Sequence, residues 1–434
     1  MNELNRTLVS LALGGLLLST ARIIAGEPLS DQEVVRQVLA GNSMLKASAA
    51  KWAAAKERVP QAKAWDDPMV GVDFERTGTT RLGTYSDAEW MASQTLPFTG
   101  KNVSRGRAAE AEAHAVYEEL RRARLDVTAT AKVAYYRLAN AHTQLGINRQ
   151  NSELLKAGLE VSEGKLSVGK AAQADVLSTD SDIQKLELEF LGLEQALSDQ
   201  QTAVNVLMNR PAGSPLGQPN ALTFRAMPWA PAALEETLLA QRPEIAAAAQ
   251  RLAAEEARLQ LARREWIPDP QVRVEARHFR GSNDTFTEYD TGLFFSVPWA
   301  NPAKYNAGVS EAQKMVEAMR REVESQRLVA LGKLRDQLRR IDTLRKQYEV
   351  SRDKLVPLAR RTAETIRINY QSDTANFLEL LSAQRMLREA EAAMSTQLAD
   401  YLAALAELES IVGFDPGSPV SAKAVTPIRK VRQR

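Results

Sequence analysis

The sequence predicts a mainly α-helical protein built from one unit that occurs twice, each copy joining long helices to a β-hairpin. Apolar residues recur every seven positions from Val176 to Val204, and a second series begins 204 positions further on, at Leu380. Two Asp-Pro pairs, at Asp67 and Asp269, each precede a stretch in which apolar and polar side chains alternate. A long repeat that contains both helices and strands indicates a symmetric architecture.

The composition favours elongated helices over a globular core. Only 6% of the 434 residues are aromatic, and the formal net charge of +2 argues against a nucleic-acid partner. The absence of cysteine excludes disulfides, thiolate metal sites and an N-terminal lipid-modified cysteine. His114, His142 and His278 are scattered, so we expect no metal site. Without a nucleophile beside a base, a phosphate loop or paired catalytic carboxylates, the sequence predicts neither an enzyme nor a cofactor.

The chain divides into five segments. The first resembles a secretory signal peptide, because Arg6 precedes an apolar stretch and small residues follow. An N-terminal anchor helix is the alternative, although the stretch is shorter than the ~20 residues that a membrane span needs. The segments are a signal peptide, 1–25; a first repeat, 26–209; a linker rich in proline, 210–232; a second repeat, 233–412; and a tail that we expect to be disordered, 413–434.

Each repeat begins with a helix that leads to the hairpin. In the first repeat Ser30 is a suitable N-cap, and the helix is expected to reach about Ala64, with Pro60 marking a kink or early end. Its counterpart in the second repeat is expected from near Ala233 to Trp266. The two segments therefore occupy the same place in the repeat.

A long helix follows each hairpin, and a shorter helix returns. The long helices are predicted at 104–163 and 305–370, and a rise of 1.5 Å per residue makes each about 90 to 100 Å long. Breaks are expected at 164–172 and 371–375. In the second long helix the seven-residue step shifts by four between Ala330 and Leu334 and is expected to continue to Leu355. Pro357 should bend this helix, because proline removes a backbone hydrogen bond.

The predicted hairpins lie at about 69–96 and 271–297 and alternate apolar with polar side chains. Alternation alone also suits a half-buried sheet in a soluble protein. Strands of about ten residues can cross a bilayer when tilted, however. Four strands cannot close a barrel, and lipid does not tolerate an open edge, so a membrane barrel would need several chains. Two chains would give eight strands and three would give twelve, and the periodicity does not choose between them.

The helix breaks carry a family resemblance. The segments LSVGKAAQADVL at 166–177 and YQSDTANFLELL at 370–381, with Ser382-Ala383-Gln384 and Ala390-Glu391, resemble the outer-membrane factor family, the TolC-like channels of Gram-negative efflux pumps. Leu166 stands in place of the aromatic residue of the family's tip motif, and Asp373 stands in place of its glycine. The stretch 94–101, QTLPFTGK, is similar to the heavy-metal efflux branch.

The resemblance implies a mainly α fold with a small membrane β-barrel contribution, in which a duplicated unit of coiled-coil helices and a β-hairpin forms a trimeric α-barrel and β-barrel. Such a homotrimer contacts lipid in the outer membrane of a Gram-negative bacterium and has a large periplasmic portion. It conducts passively what an inner-membrane pump and a periplasmic adaptor export, here heavy-metal ions or small toxic compounds. The alternatives are the exit duct of a type I protein secretion system and a soluble periplasmic coiled-coil scaffold.

Two sets of site residues follow from the resemblance. Asp175 and Glu379 occupy equivalent positions after the two breaks and are implied to form a pore gate at the periplasmic tip. Because both lie in a first helical turn, they could instead be acids that the helix dipole favours. The implied adaptor-docking tips could likewise be simple turns; they comprise Val168, Gly169, Lys170, Asp373, Thr374 and Ala375.

Overall fold

A computed structural model describes residues 28–75, 87–168, 172–280, 285–372, 374–375 and 377–414. The expected signal peptide lies outside these residues, as does the tail from residue 415 onward. The described residues form two compact units, and each draws on both sequence repeats. Unit 1 takes the described residues within Met1–Gln37, Ala134–Thr223 and Val356–Ala399, and unit 2 takes those within Val38–Val133, Phe224–Leu355 and Asp400–Arg434.

The first helix of each repeat is interrupted. Helix α1 (Asp31–Gly41) begins after Ser30, whose hydroxyl accepts from the backbone N–H of Glu33 at 3.2 Å, as expected of an N-cap. The chain then breaks at Asn42, whose side chain caps helix α2 (Ser43–Lys63) by accepting from two backbone N–H groups. Pro60 lies in the last turn of α2, so it does not shorten the helix.

The elements that follow in the first repeat are strands β1 (Met69–Glu75) and β2 (Asp87–Thr95) and helices α3 (Lys101–Ser167) and α4 (Gln173–Leu207). Helix α3 has 67 residues, so it extends beyond both predicted ends. In the linker between the repeats, Pro219 forms an isolated β-bridge with Leu29.

The second repeat follows the same order. Its elements are α5 (Pro231–Gln241), α6 (Pro243–Arg264), β3 (Gln271–Arg280), β4 (Thr285–Phe294), α7 (Pro302–Val350), a π-helical turn (Ser351–Leu355), α8 (Val356–Gln371) and α9 (Phe377–Val412). The break between α5 and α6 falls at Arg242, immediately before Pro243, because the residue before a proline avoids the α region. The single helix expected from Ala233 to Trp266 is therefore two helices.

The apolar series of α7 confirms the predicted shift of four residues. Val316, Val323 and Ala330 are buried, and so are Leu334, Ile341 and Tyr348. The expectation that Leu355 continues this series is wrong, since its side chain is 43% exposed while Val356 is buried. The π-helical turn explains the difference, because a π turn adds one residue and rotates the buried face by one position. The turn lies next to Pro357, where we expected a bend.

A four-stranded antiparallel sheet in the order β1-β2-β3-β4 lies in unit 2. Val70 pairs with Ala92, Ala92 with Val274, and Val274 with Thr291, so one rung crosses all four strands. Strands β3 and β4 have the expected ten residues each, whereas β1 has seven described residues and β2 has nine. The two hairpins thus form one sheet.

Each unit has its own helical core. In unit 2 the linker residue Phe224 stacks between Tyr348 of α7 and Tyr401 of α9, at ring-centroid distances of 5.3 and 5.1 Å. Tyr401 is fully buried, and its hydroxyl donates to the carbonyl oxygen of Arg225 at 2.8 Å. In unit 1 Val356 and Ala359 of α8 pack against α9 at Ala390. Aromatic residues are few, but these contacts place them where the linker meets the long helices.

Candidate functional site

The sheet has one apolar face and one polar face, as the alternation predicted. The apolar side chains are largely exposed, with Val70 at 80%, Tyr289 at 75% and Leu293 at 64% of their accessible surface. The other large side chains on this face that are at least one-third exposed are Val72, Phe74, Trp90, Val272 and Val274. An apolar surface of this extent marks a contact with lipid or protein.

Aromatic residues flank the strands where the sheet meets the helices. Trp65 precedes β1, Phe98 follows β2 and Trp299 follows β4, and all three are more than half exposed. Tryptophan is enriched where a protein crosses the boundary between membrane and water. Among the helices that the structure describes, none combines the length and the apolar character that a membrane span requires.

Where β2 ends and β3 begins, a nearly buried ion pair joins the two repeats. Lys101 Nζ lies 2.8 Å from Asp269 Oδ2, and the side chains are 11% and 14% exposed. The Thr99 hydroxyl donates to Asp269 Oδ1 at 2.6 Å. Burial alone raises the pKa of Asp269, but the hydrogen bonds from Lys101 and Thr99 and the nearby positive charge outweigh it and hold the pKa below the usual range. Asp269 belongs to a repeated Asp-Pro pair and Lys101 to the stretch 94–101, yet nothing in the sequence indicated that these two residues meet.

The first break places Asp175 in the first turn of α4. Its carboxylate accepts weakly from the backbone N–H of Ala172 at 3.4 Å, and its own N–H donates to the Ala172 carbonyl at 3.0 Å. Since Ala172 has no polar side chain, Asp175 supplies the capping acceptor at this helix end. Asp175 thus has the helix-terminal role that we kept as the alternative to a pore gate, and its half-buried side chain is compatible with either.

The second break is a compact turn. The carbonyl of Asn369 accepts from the backbone N–H groups of Thr374 and Ala375, at 2.8 and 3.2 Å, and from the Thr374 hydroxyl at 3.0 Å. Helix α9 begins two residues after Ala375, and Glu379 lies exposed in its first turn. The turn thus supplies hydrogen-bond donors to the end of α8, where backbone carbonyl groups have no partner within the helix.

Of the six expected docking residues, the structure describes three. Val168 is 67% exposed, Thr374 is exposed and Ala375 is half-buried. Gly169, Lys170 and Asp373 lie outside the described residues. Val168 and Thr374 have accessible side chains directly beside the breaks, as a docking surface requires.

Contacts within unit 1 join α3 to α8 and α4 to α9, and these contacts were not among the predictions. Lys165 Nζ lies 4.0 Å from the ring centroid of Tyr370, which meets Phe377 edge to face at 5.6 Å. Further along, Arg385 Nε donates to Asp182 Oδ2 at 2.9 Å, and the Asp182 side chain is only 6% exposed.

Asp182 is held ionised by its neighbours. Burial raises its pKa, but hydrogen bonds from Arg385 and from Lys185, at 3.2 Å, together with their charges, lower the pKa overall. Asp182 lies one heptad beyond Asp175, and Arg385 lies six residues beyond Glu379. Because the repeat length brings residues about 200 positions apart together, a search of charges at that spacing could have found this pair.

Comparison with known proteins assigns the family. A family model described as outer membrane efflux protein matches residues 34–210 and 234–414. The chain belongs to the outer membrane efflux protein family. The two matched stretches coincide with the two repeats, and between them they cover most of the chain.

Relatives of this efflux protein are named for different roles. The nickel and cobalt resistance protein CnrC of Cupriavidus metallidurans is 28% identical over 72% of this chain and 74% of its own. The pyoverdine export outer membrane protein OpmQ of Pseudomonas putida is 24% identical over 83% of this chain and 76% of its own. The CmeC outer membrane channel of Campylobacter jejuni superposes with a TM-score of 0.76 at 17% identity, covering 91% of this chain and 88% of that one.

These findings confirm the family resemblance and the mainly α fold with a small antiparallel sheet. They confirm an outer membrane efflux channel and its location in the outer membrane of Gram-negative bacteria. The family is one of channels rather than of enzymes. The soluble scaffold is therefore the wrong alternative.

Proposed function

We propose that this efflux protein is the outer-membrane exit duct of a tripartite system, in which three copies close a twelve-stranded barrel around a water-filled pore. A periplasmic adaptor would contact the helical breaks, and an inner-membrane pump would supply the energy. The observation that carries the proposal is the sheet itself, which combines an exposed apolar face, a charged face and two unpaired edges.

The unpaired edges require a partner if the sheet lies in lipid. In the described sheet, β1 and β4 each pair on one side only. Each unsatisfied backbone group in hydrocarbon costs several kcal/mol, and a strand of seven to ten residues has several of them. Pairing β4 of one copy with β1 of the next satisfies both edges, and a ring of copies leaves no edge.

The repeat offsets give the register of that pairing. Strand β2 maps onto β4 by an offset of 201, as Leu96 maps onto Val297, and β3 maps onto β1 by 202, as Asp269 maps onto Asp67. Inside one chain, Ala92 of β2 pairs with Val274 of β3. The offsets convert Ala92 into Leu293 and Val274 into Val72, so Leu293 of one copy should lie opposite Val72 of the partner subunit. The same offsets convert the register of the first hairpin into that of the second, which supports their use here.

The breaks suit an assembly that docks and closes at its periplasmic end. Val168 and Thr374 are exposed beside the breaks, where an adaptor could contact them. Three copies of Asp175 and Glu379 around one axis would repel one another unless a cation or a basic group lay among them. Substitution of Gly169 that abolishes export while the trimer stays intact would support docking, whereas unchanged export would oppose it.

Heavy-metal ions are the substrates we propose. Several relatives are named for resistance to nickel, cobalt, cadmium or zinc, among them NccC, CnrC and CzcC. Other relatives are named for pyoverdine or toluene, so small organic compounds are the second candidate. A type I secretion duct remains a further alternative, and export assays with metal salts, dyes and a secreted polypeptide would separate the three.

Cysteine cross-linking tests the ring directly, because the natural chain has no cysteine. With Val72→Cys and Leu293→Cys, a disulfide can form only between copies, since three strand spacings separate β1 from β4 in one chain, about 14 Å against a reach of about 7 Å. We expect oxidised dimers and trimers on denaturing gels, and K⁺ conductance in planar bilayers.

The matched control pairs Val274→Cys with Thr291→Cys, which face each other within one chain. This variant should oxidise without gaining mass on a gel, which verifies the chemistry. A Val72→Cys/Leu293→Cys protein that stays monomeric while the control oxidises would contradict the ring. Absence of conductance from purified, detergent-extracted protein would contradict the channel.

A further inference from the structure

The sheet meets the helices of unit 2 at one end. Helices lead into β1 and β3 and follow β2 and β4, so all four connections lie at the same end of the antiparallel sheet. We call this end the rim and define it as the connections with the adjoining helical turns, 61–68, 96–107, 263–270 and 295–305. Each connection has at least one large apolar side chain that is more than half exposed, among them Trp65, Phe98, Ile267 and Trp299. The rim therefore continues the exposed apolar face of the sheet.

The length of the strands places the rim at the surface of a bilayer. Strands β3 and β4 have ten residues each, which extend about 33 Å along the strand and about 25 Å when tilted by ~40°. Outer-membrane barrels have an apolar band about 25 Å tall. Because the apolar face fills this band, the rim falls in the headgroup layer, which is about 5 to 8 Å thick.

The rim is basic. It contains seven Lys and Arg residues and four Asp and Glu residues, a formal balance of +3, whereas the whole chain has +2. Some of these cations are bound within the protein. Lys101 pairs with Asp269, and the Arg264 guanidinium donates to the carbonyl oxygen of Gly100 at 2.8 Å, which joins the end of α6 to the start of α3.

Two exposed cations of the rim lie at adjacent helix ends and have no acidic partner in the part of the chain that the structure describes. Arg263 is in the last turn of α6, and Lys304 is in the first turn of α7. Lys304 Nζ lies 5.4 Å from the ring centroid of Tyr305. Tyr305 in turn contacts Trp266, three residues beyond Arg263, at a ring-centroid distance of 5.5 Å. This ring contact joins the two helix ends that carry the cations.

The depth of these two cations suits a lipid headgroup. Arg263 lies one residue before the end of α6 and Lys304 two residues after the start of α7, so each is within about 3 Å of the helix end along the axis. Arg107 is also exposed and also without an acidic partner among the described residues, but it lies about 9 Å into α3, outside the headgroup layer. Long basic side chains can follow an apolar surface and place their charge at the interface.

The pair of cations occurs in one repeat only. The offsets of 202 and 201 map Arg263 onto Gln61 and Lys304 onto Val103. The first repeat instead has the exposed acids Asp66 and Asp67 next to its tryptophan. Duplication therefore kept an apolar side chain in every connection and confined the unpaired positive charge to the second-repeat side of the rim.

We propose that this side of the rim binds an anionic phospholipid, whose phosphate contacts Arg263 and Lys304 while an acyl chain lies against Trp299 and the apolar face of the sheet. The inference rests on the proposed function, because it requires the sheet to lie in lipid. Guanidinium and ammonium groups both bind phosphate, and tryptophan is enriched at the boundary between membrane and water. A lipid fits these cations better than a soluble anion does, because they adjoin an exposed apolar surface. Each basic side chain beside an anionic lipid surface strengthens binding about fivefold.

Quenching of tryptophan fluorescence by brominated lipid tests the inference on the full chain. The protein is reconstituted in phosphatidylcholine vesicles, to which phosphatidylglycerol or phosphatidylethanolamine with identical brominated acyl chains is added as a minor component. Trp266 and Trp299 lie at the proposed site and report on lipid bound there. We expect the wild type to prefer phosphatidylglycerol over phosphatidylethanolamine at least about fivefold, and high salt to weaken this preference.

Charge variants locate the site. In Arg263→Gln/Lys304→Gln the preference should fall to about unity while quenching by phosphatidylethanolamine stays unchanged. Arg263→Lys/Lys304→Arg retains both charges and should retain the preference. The matched control is Arg327→Gln/Lys333→Gln, which removes two exposed cations of α7 that likewise have no acidic partner among the described residues. These cations lie about 35 Å or more beyond Lys304 along the helix, so the control should behave as the wild type.

Several outcomes would overturn the inference while leaving the proposed channel intact. These are equal quenching by both lipids in an inserted, conducting wild type, an unaltered preference in Arg263→Gln/Lys304→Gln, and loss of the preference in the control. Complete displacement of phosphatidylglycerol by inorganic phosphate at constant ionic strength would assign the cations to a soluble anion and also overturn it. If the double variant does not insert, Lys304→Gln alone should lower the preference about fivefold, and no change would count against the site. A wild-type protein that does not insert into vesicles would refute the proposed function itself.

Discussion

Replacing Lys101 by methionine should destabilise unit 2 strongly, because it leaves the Asp269 carboxylate nearly buried with only the Thr99 hydroxyl as a described hydrogen-bond donor. Methionine has about the length of the aliphatic stem of lysine, so the change removes the charge and keeps most of the packing. A hydrogen bond to a charged group contributes about 1.5 to 3 kcal/mol. Removing one partner of a fully buried pair costs about 3 to 5 kcal/mol. The slight exposure of both side chains favours a loss of about 2 to 3 kcal/mol, roughly a 30- to 150-fold change in the unfolding equilibrium.

Urea unfolding in detergent, followed by tryptophan fluorescence, measures this loss. Trp65, Trp266 and Trp299 flank the strands and report on this region. The control is Lys314→Met, which breaks a pair with Glu317 whose side chains are 78% and 60% exposed. Exposed pairs contribute at most about 1 kcal/mol, so this variant should unfold close to the wild type.

A double variant separates the ion pair from general packing. Asp269→Asn added to Lys101→Met removes the uncompensated charge, so part of the lost stability should return. If Lys101→Met unfolds at the same urea concentration as Lys314→Met, the ion pair contributes little and the reasoning fails. The same conclusion follows if the second substitution only adds to the loss.

Three further predictions concern the helices. The fold lowers the pKa of Asp182, so the ion pair of Asp182 with Arg385 should stabilise unit 1 fully above the ordinary Asp pKa of about 3.9. This stabilisation should be lost as the pH falls through the lowered pKa of Asp182. Hydrogen exchange in α4 and α9 should then rise more steeply with falling pH for the wild type than for Asp182→Asn. Phe224→Ala should cost about 2 to 3 kcal/mol in urea unfolding because two stacked aromatic contacts are lost, and a cost below 1 kcal/mol would contradict the stacking. Glu379→Ala should raise single-channel conductance or alter its block by cations, and unchanged conductance would remove Glu379 from the gate.

The long helices and the strand faces could be predicted from the sequence because each depends on a local period. The buried series from Val316 to Tyr348 follows seven-residue steps with one step of four, and this spacing can be read from the sequence without knowing what the helix packs against. The sequence did not predict that the buried position moves from Leu355 to Val356. A π turn changes the backbone hydrogen-bonding pattern, and neither the composition nor the apolar period indicates it. The break at Asn42 was missed for a different reason. In the sequence, Asn42 looks like an ordinary position within a continuous helix. Only the structure shows that its side chain accepts hydrogen bonds from two backbone N–H groups and so caps a new helix.

The site contacts were harder to predict because they join residues far apart in the chain. Asp182 and Arg385 are 203 positions apart, close to the repeat length. The repeat therefore contained the information, but the sequence does not show which of the many residues at that spacing touch. The gate and docking residues rested on family resemblance. Asp175 illustrates the difficulty, since its capping bond to Ala172 explains an acid at that position without any gate.

The junction between copies in the proposed barrel would differ in chemistry from the junction of β2 with β3 inside a chain, although the repeat offsets give both the same register. Inside a chain, β2 and β3 are joined by Lys101–Asp269 and by Glu89–Arg277. The offsets that relate the repeats turn Lys101 into Pro302 and Arg277 into Glu75, so the proposed junction between copies would have no counterpart of either ion pair. Each four-stranded sheet can therefore form by its own contacts, whereas closure of the proposed ring would rely on backbone pairing and apolar packing. It follows that heating should dissociate the proposed trimer before it unfolds the subunit, an order that gel mobility and tryptophan fluorescence over one temperature series can establish. Simultaneous loss of the trimer and of the subunit fold would mean that the junction between copies is as stable as the junction inside a chain.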